Sequence, residues 1–448
     1  MFTPPVDVPG PRIPHLSMVR YMREPTAFLR DCAMTYGDPF LVHVFGRWVV
    51  NMADPEGARA VFTLPPEATQ AFQPRTLAPL LGEHALILIH GEPHRRDRKL
   101  LTPPFHGTRM RAYAELIRRL TRKHSEAWPL GRPFDIQEFT QALTLEIIIE
   151  AIFGVIETER ARRFHHAVSA FIAQFNPMVL SLASLRKALP WLVESSRPWR
   201  LAQSRLSSLR QLLFAEISQR RQEPSFAPRE DILSLLVSAR YDDGSPMSDQ
   251  HICDEMLTLL LAGHETTALS LSWAFFELGR HPHVTERLRS ALASMASPED
   301  AEELSRLPYL DAVCNEILRM HPVVAWVPRT LVAPMEFRGY HLPAGIAVAV
   351  CSSLIHERPD IYPEPHAFRP ERFIERKYSP FEFLPFGGGN RRCIGAAFAL
   401  YEIKLILADI LRCYDVGVTR PWAIPAVERR NLTLGPKGGV EVIAHRRP

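Results

Sequence analysis

The chain has 448 residues, 46% of them hydrophobic and 23% charged, and a formal net charge of +4. This is ordinary globular composition, long enough to bury a large core and a sizeable ligand, and the small excess of positive charge leaves no footprint for nucleic acid. Its six cysteines, Cys32, Cys253, Cys314, Cys351, Cys393 and Cys413, form no C-x-x-C pair, so neither a zinc site nor a redox dithiol is signalled.

In chain order, the first segment is MFTPPVDVPGPRIPHL. It lacks an apolar run long enough for a signal peptide or a membrane anchor, so a cytoplasmic protein without a stable anchor is expected. Its prolines at 4, 5, 9, 11 and 14 argue against a helix there. Residues 40–51, FLVHVFGRWVVN, predict a hairpin around Gly46. Apolar positions recur at helical spacing over 109–127, 135–153 and 199–221. The strongest helix runs from an N-cap at Ser248 to Arg280, where His281-Pro282 ends it. It is apolar nearly all round from Met256 to Leu261, which predicts a central buried helix roughly 50 Å long. A further helix spans about Leu307 to Met320, and β-prone sequence follows over 323–352. The last helix is expected from Cys393 to Cys413, followed by two short strands in NLTLGPKGGVEVIAH. The 40 prolines punctuate the chain without marking a linker. The expectation is one domain over 1–448, mostly α with a smaller β portion at about 38–65, 323–356 and 430–446.

The chemistry is concentrated in PFGGGNRRCIGAAFALYEIKLILADIL, residues 385–411. Three glycines permit backbone conformations closed to other residues and a close approach to a flat partner. Cys393 follows where a helix begins, and a helix N-terminus favours a thiolate. A packed cysteine beside a glycine turn is the bland alternative for any lone thiol. A phosphate loop would need a following Lys-Ser/Thr, which is missing. With no second Cys or His nearby, one axial thiolate on haem iron fits better than zinc or an iron–sulfur cluster.

Phe386, Gly389, Arg391, Cys393 and Gly395 match every fixed position of the cytochrome P-450 haem signature, and the chain resembles that family over roughly residues 20–445. The resemblance implies the cytochrome P-450 fold, with the long helix lying over haem b (iron protoporphyrin IX). Cys393 would be the iron ligand, Phe386 would pack under the thiolate, and Gly395 would complete the loop. Arg391, His94, Arg98 and Arg329 would hold the haem propionates, with Ala262 against the haem. Glu265 and Thr266 fall on the family's acid–alcohol pair and would relay protons for O–O cleavage, although hydroxyls in a helix also simply back-bond to carbonyls. Glu316 and Arg319, with Arg372 in the Pro370-Glu371-Arg372-Phe373 stretch, would form a buried network that fixes the cysteine loop. Read alone, Glu316 and Arg319 would be a solvated pair worth little, and His94 and Arg98 would share a basic helix face.

Pocket positions by family analogy are Phe72, Leu86, Leu259, Val324, Trp326 and Leu432, all apolar, with Leu432 inside a stretch at 431–434. The implied reaction is insertion of one atom of dioxygen into a hydrophobic small molecule: a fatty acid, terpenoid, steroid or polyketide. Alternatives are a haem-thiolate peroxygenase or isomerase, which would not need the Glu265–Thr266 pair, or a haem protein that only binds ligands. No flavin region or iron–sulfur spacing is present, so electrons are expected from an external ferredoxin or flavodoxin with its reductase. Arg95, Arg96, Lys99, Arg109, Arg392 and Lys404 would offer such an acidic carrier a basic face. A monomer is expected.

Overall fold

The computed structural model describes residues 5–11, 13–107, 109–154, 158–222, 231–297, 299–430 and 432–447. The chain forms two compact units. The first comprises Met1–Phe72, Ile117–Gln141 and Thr266–Pro448, and the second Gln73–Leu116 and Ala142–Glu265.

The first unit holds the named strands: β1 (Phe40–Val44), β2 (Arg47–Met52), β3 (Thr69–Ala71), β4 (Pro133–Asp135), β5 (Val327–Leu331), β6 (Met335–Phe337), β7 (Tyr340–Leu342), β8 (Ala347–Val350), β9 (Tyr414–Val418), β10 (Val427–Arg430), β11 (Thr433–Pro436) and β12 (Glu441–Arg446). Its main sheet has the order β1-β2-β8-β5-β3. The expected hairpin is β1–β2, with Phe40 opposite Asn51 and Val44 opposite Arg47. Phe45 and Gly46 turn it at φ 52° and 71°, and positive φ at both central residues matches the twist of the strands. β2 runs parallel to β8 and the other pairings in this sheet are antiparallel. β8 is buried throughout, and its apolar run AVAV carries no alternation because both faces are covered. β4, β12 and β9 form a second sheet, and β10–β11 and β6–β7 are two-stranded.

The described residues before Pro14 form no helix, as the prolines argued, and helices Pro14–Arg23 and Pro25–Tyr36 follow. Each opens on its proline, at the position where the missing N–H has no intrahelical partner to lose. The helices expected from periodicity are Arg109–Ser125, Ile136–Phe153, Arg197–Gln222, Asp249–Arg280 and Pro308–Met320. Ser248 caps the long one, its Oγ accepting the His251 N–H at 3.2 Å. The last helix begins at Ala396, three residues later than expected, and ends at Cys413. Its N-cap is Gly395, and a short 3-10 turn, Gly389–Arg391, precedes it.

The second unit is helical, with no strand among its described residues beyond a single bridge between Arg240 and Pro246. Its buried Arg220 binds Asp231 at 2.8 Å, Glu216 at 3.0 Å and the Phe153 carbonyl at 2.7 Å, so each guanidinium nitrogen of this desolvated cation has an acceptor.

Candidate active site

Cys393 sits in the loop before the last helix, and its N–H donates to the Phe386 carbonyl at 2.9 Å. That bond closes a turn over Phe386–Cys393. Gly387 and Gly389 have φ of 65° and 66°, where a Cβ would be strained. The close partner of this loop inside the protein is Phe62, the last residue of helix Pro55–Phe62. A Cβ on Gly388 would come within 2.3 Å of the Phe62 ring, and one on Gly389 within 2.3 Å of its carbonyl oxygen. Cys393 precedes the first helical residue by three, so it lies outside the helix N-terminus and the loop itself orients it. Its side chain is exposed, whereas Cys32, Cys253, Cys314 and Cys351 are buried. Burial pushes those thiols up, Cys32 to about 11 and Cys253 and Cys314 to about 12, which leaves them inert.

The Glu–Arg pair is not a solvated surface pair. Glu316, Arg319 and Arg372 are buried. Arg319 donates to both Glu316 oxygens, at 2.7 and 2.9 Å, and to the His356 carbonyl at 2.9 Å. Arg372 donates to Glu316 at 3.0 Å and to the Pro363 carbonyl at 3.0 Å, and the Arg369 N–H adds a bond to Glu316 at 2.9 Å. His356 extends the network towards the cysteine loop. Its Nε2 accepts the Leu384 N–H at 2.8 Å, so its Nδ1 carries the proton and donates to the Arg319 carbonyl at 3.1 Å. Burial, and Arg319 beside it, lower His356 to about 3.

Arg329 on β5 is the first unit's other unusual cation. Its hydrogen bond goes to its neighbour's carbonyl, Pro328, at 2.9 Å, and no carboxylate pairs with it among the described residues. Burial and the nearby Arg391 lower it to about 9. A guanidinium held beside a second one in a desolvated place is destabilised unless an anion joins them. Gly395 adds a second sign. Its φ of −85° is open to any residue, and a Cβ there would meet nothing within 4 Å. The conformation does not require glycine at 395, and open space lies beside the exposed Cys393. An exposed thiol, open space and a buried guanidinium, Arg329, with no carboxylate partner among the described residues fit a flat group bearing carboxylates.

Along Asp249–Arg280, residues 252–260 and 264–265 are buried. Leu261, Ala262, Gly263 and Thr266 are not, and Ala262 is exposed. Ala262 and Thr266 are one turn apart, so this helix is open along one short face. Gly263 is small because Ile148 of helix Ile136–Phe153 would lie 2.8 Å from a Cβ. Glu265 is buried. Thr267 bonds the buried Glu402, whose carboxyl burial raises well above the usual range. His264 is structural. Its Nδ1 meets the Thr144 hydroxyl at 3.1 Å, that hydroxyl donates to the His264 carbonyl, and burial lowers the ring to about 4.

In the second unit, His94 and Arg98 lie on helix Gly91–Leu101, His94 buried and Arg98 half-buried. Leu86 and Leu259 are also buried. Buried Glu255 accepts the Leu86 N–H, and burial raises its carboxyl strongly. The basic residues of Gly91–Leu101 are largely neutralised. Arg95 pairs with Glu92, Arg96 with Asp243 and Lys99 with Asp242, at 2.6, 2.6 and 2.7 Å. Lys404 in the first unit is buried and pairs with Asp311 at 2.7 Å. These four do not present the bare basic face expected from sequence.

Four of the six pocket candidates belong to the first unit. The Phe72 and Trp326 rings meet edge-on with centroids 5.5 Å apart. The Leu434 N–H bonds the Val323 carbonyl at 2.9 Å, which brings the β10–β11 hairpin bearing Leu432 beside Val324. Position 431 lies outside the described residues. Sequence reading missed His356, Glu402 and Arg429. An acid within the apolar helix YEIKLILADIL was the available signal for Glu402; for the other two there was none.

The chain matches the Cytochrome P450 family model over residues 4–440. It is 37% identical over 418 residues to the putative cytochrome P450 135B1 of Mycobacterium tuberculosis (strain ATCC 25618 / H37Rv), covering 92% of this chain and 86% of that protein. To the putative cytochrome P450 138 of the same strain it is 37% identical over 432 residues, covering 92% and 90%. Among solved structures it superposes on the retinoic acid-bound cyanobacterial CYP120A1 with a TM-score of 0.81, 28% identity and 94% of each chain. The cytochrome P450DA haem domain superposes with the same TM-score at 22% identity over 98% of each chain, a likeness of fold.

Proposed function

The chain belongs to the cytochrome P450 family of haem monooxygenases, and from that premise we propose that it inserts one oxygen atom of dioxygen into a hydrophobic small molecule, with Cys393 as the ligand of haem b. The observation that carries this reading is the cysteine loop: an exposed thiol on a turn closed by the Cys393 N–H to the Phe386 carbonyl, with the buried guanidinium of Arg329 lacking a carboxylate among the described residues. Bound through a thiolate, haem iron supplies the electron density that favours cleavage of the O–O bond.

The chain's own residues then have separable tasks. Arg329 and Arg391 would take the propionates, a match of planar guanidinium to carboxylate. Buried Glu265 would hold a proton at its carboxyl and pass it to the Thr266 hydroxyl, which stands on the half-open turn of the long helix. Glu316, Arg319 and Arg372 would hold the loop's flank in place. Phe72, Val324, Trp326 and Leu432, all in the first unit, would line an apolar pocket that excludes water. That one structural neighbour was solved with retinoic acid, a largely hydrocarbon molecule ending in a carboxyl group, supports a hydrophobic substrate. Electrons would come from an external ferredoxin or flavodoxin.

The test is the absorption spectrum of the dithionite-reduced protein with carbon monoxide, for wild type and Cys393→Ser. A strongly red-shifted Soret band, lost in the variant, is expected. A histidine-type carbonyl band in folded wild type would remove Cys393 and the mechanism with it.

A further inference from the structure

The strand β10 carries two adjacent arginines with opposite circumstances. Arg430 is paired, its Nε 3.0 Å from Glu428. Arg429 has no carboxylate partner among the described residues. Its side-chain hydrogen bond is from Nη2 to the Tyr21 hydroxyl at 2.8 Å, and its Nε is shielded from solvent without an acceptor. Tyr21 cannot neutralise it, because burial pushes that phenol to about 12 and keeps it uncharged.

The guanidinium instead rests on aromatic faces, 4.9 Å from the Tyr21 centroid and 5.5 Å from that of Phe45. Both rings continue into the apolar positions assigned above to the pocket. Tyr21 lies 5.5 Å and Phe45 6.5 Å from Trp326, and Phe45 lies 6.5 Å from Phe72. Phe45, Phe72 and Trp326 are half-buried, so this wall is open on one side. Trp326 presents carbon only, since its indole N–H is used by Asn51 at 2.7 Å. Arg429 pairs with Leu434 across the hairpin, and Leu434 bonds Val323, three residues before Trp326. A lone cation thus stands at the edge of an apolar wall, with Nη2 oriented by Tyr21 and Nη1 without a bond.

From this arrangement we propose that Arg429 is a specificity-determining residue that binds a carboxylate through Nη1 and Nη2, and that the substrates are amphiphilic carboxylic acids whose apolar chain lies along Phe45, Phe72 and Trp326. The proposal rests on the monooxygenase reading and narrows its substrate class. A planar fork suits a carboxylate, and an anion there relieves the desolvated charge that cation–π contact offsets only in part. Steroids and polyketides without an acid group would leave the guanidinium unmatched.

The test uses full-length holoprotein and follows the Soret shift on titration with dodecanoic acid, hexadecanoic acid and their methyl esters. Wild type should bind each acid at least about tenfold more tightly than its ester, a factor that corresponds to about 1.4 kcal/mol. Arg429→Gln should bring the acid down to the ester's affinity and leave the ester unchanged, and Arg429→Lys should keep part of the preference. The reduced carbon monoxide spectrum of each variant reports haem ligation separately, so loss of the acid preference with an intact thiolate band isolates Arg429 from the family reading. An acid-to-ester ratio unchanged in Arg429→Gln would make Arg429 a clamp between the hairpin and helix Pro14–Arg23 and overturn the proposal. So would a wild type that binds the esters as well as the acids, or binds neither.

Discussion

Thr266 differs in exposure from the other hydroxyls of its helix: Thr258, Thr267, Ser270 and Ser272 are buried, and Thr266 is half-buried. Ser270 and Ser272 back-bond to carbonyls four residues earlier, at 2.9 and 2.8 Å, and Thr267 engages Glu402. Thr266 stands on the half-open turn with Ala262 and Gly263. A hydroxyl there can stand between the buried Glu265 and a bound substrate. Thr266→Ala should therefore keep the thiolate spectrum but lower product formed per electron by about tenfold or more, given the usual worth of a positioned proton donor, with peroxide accounting for the difference. Product and peroxide measured against consumed NAD(P)H check this, and equal coupling in variant and wild type would remove Thr266 from the relay. The burial of Glu265 follows from its place in an apolar run, whereas its pairing with Thr266 rests on the family resemblance. The reason for Gly263 was not legible in the sequence, because it depends on Ile148, 115 positions earlier in the sequence.

At the level of elements, the loop's position depends on a histidine that must stay neutral. His356 lies in helix Ser352–His356 and joins the Glu316–Arg319 network to Leu384, at the flank of the cysteine loop. Protonating its Nε2 would set one N–H against another and break the Leu384 bond. Its folded value of about 3 lies below an unfolded histidine's. The unfolded state therefore binds more protons between those values, and stability rises with pH across that window. Above it both states are neutral and His356 contributes no slope. Falling pH should cost about 1.4 kcal/mol per unit from this one group, beginning near pH 6.5. His264, lowered to about 4, adds to the same slope. Urea unfolding at pH 7, 6 and 5 should show a His356→Gln slope shallower by about one proton, and identical slopes would exclude this linkage. Long periodic helices could be read because their signal is local. The N-terminal prolines also act locally: the described residues before Pro14 are not helical, and Pro14, the last of them, starts a helix. The pairing of β3 with β5 and of β4 with β12 joins segments hundreds of residues apart, which no local pattern encodes.

For the molecule as a whole, the electrostatic question is how an acidic electron donor would find it. A net charge of +4 on 448 residues gives a weak overall field, so local charge must act if steering occurs. Sequence spacing suggested six cations, but Arg95, Arg96, Lys99 and Lys404 are each paired with an acid, and Lys404 is buried. A paired cation projects a dipole whose field decays faster than that of a charge, and salt screens what remains beyond about 10 Å. Arg392 is exposed, directly precedes Cys393, and has its guanidinium 5.9 Å from the Phe386 ring, so its charge lies at the cysteine loop itself. Arg392→Glu should therefore raise the KM for an acidic ferredoxin about tenfold at low ionic strength, the lower end of electrostatic steering, and the effect should shrink as salt is added. Arg96→Glu and Lys99→Glu, which face Asp243 and Asp242, should change it less than about twofold. Steady-state turnover across a salt series, with the carbon monoxide spectrum confirming haem in each variant, distinguishes the cases. A larger effect at Arg96 or Lys99 than at Arg392 would move the donor's approach from the cysteine loop to helix Gly91–Leu101, and would mean that its ion pairs open when the donor arrives.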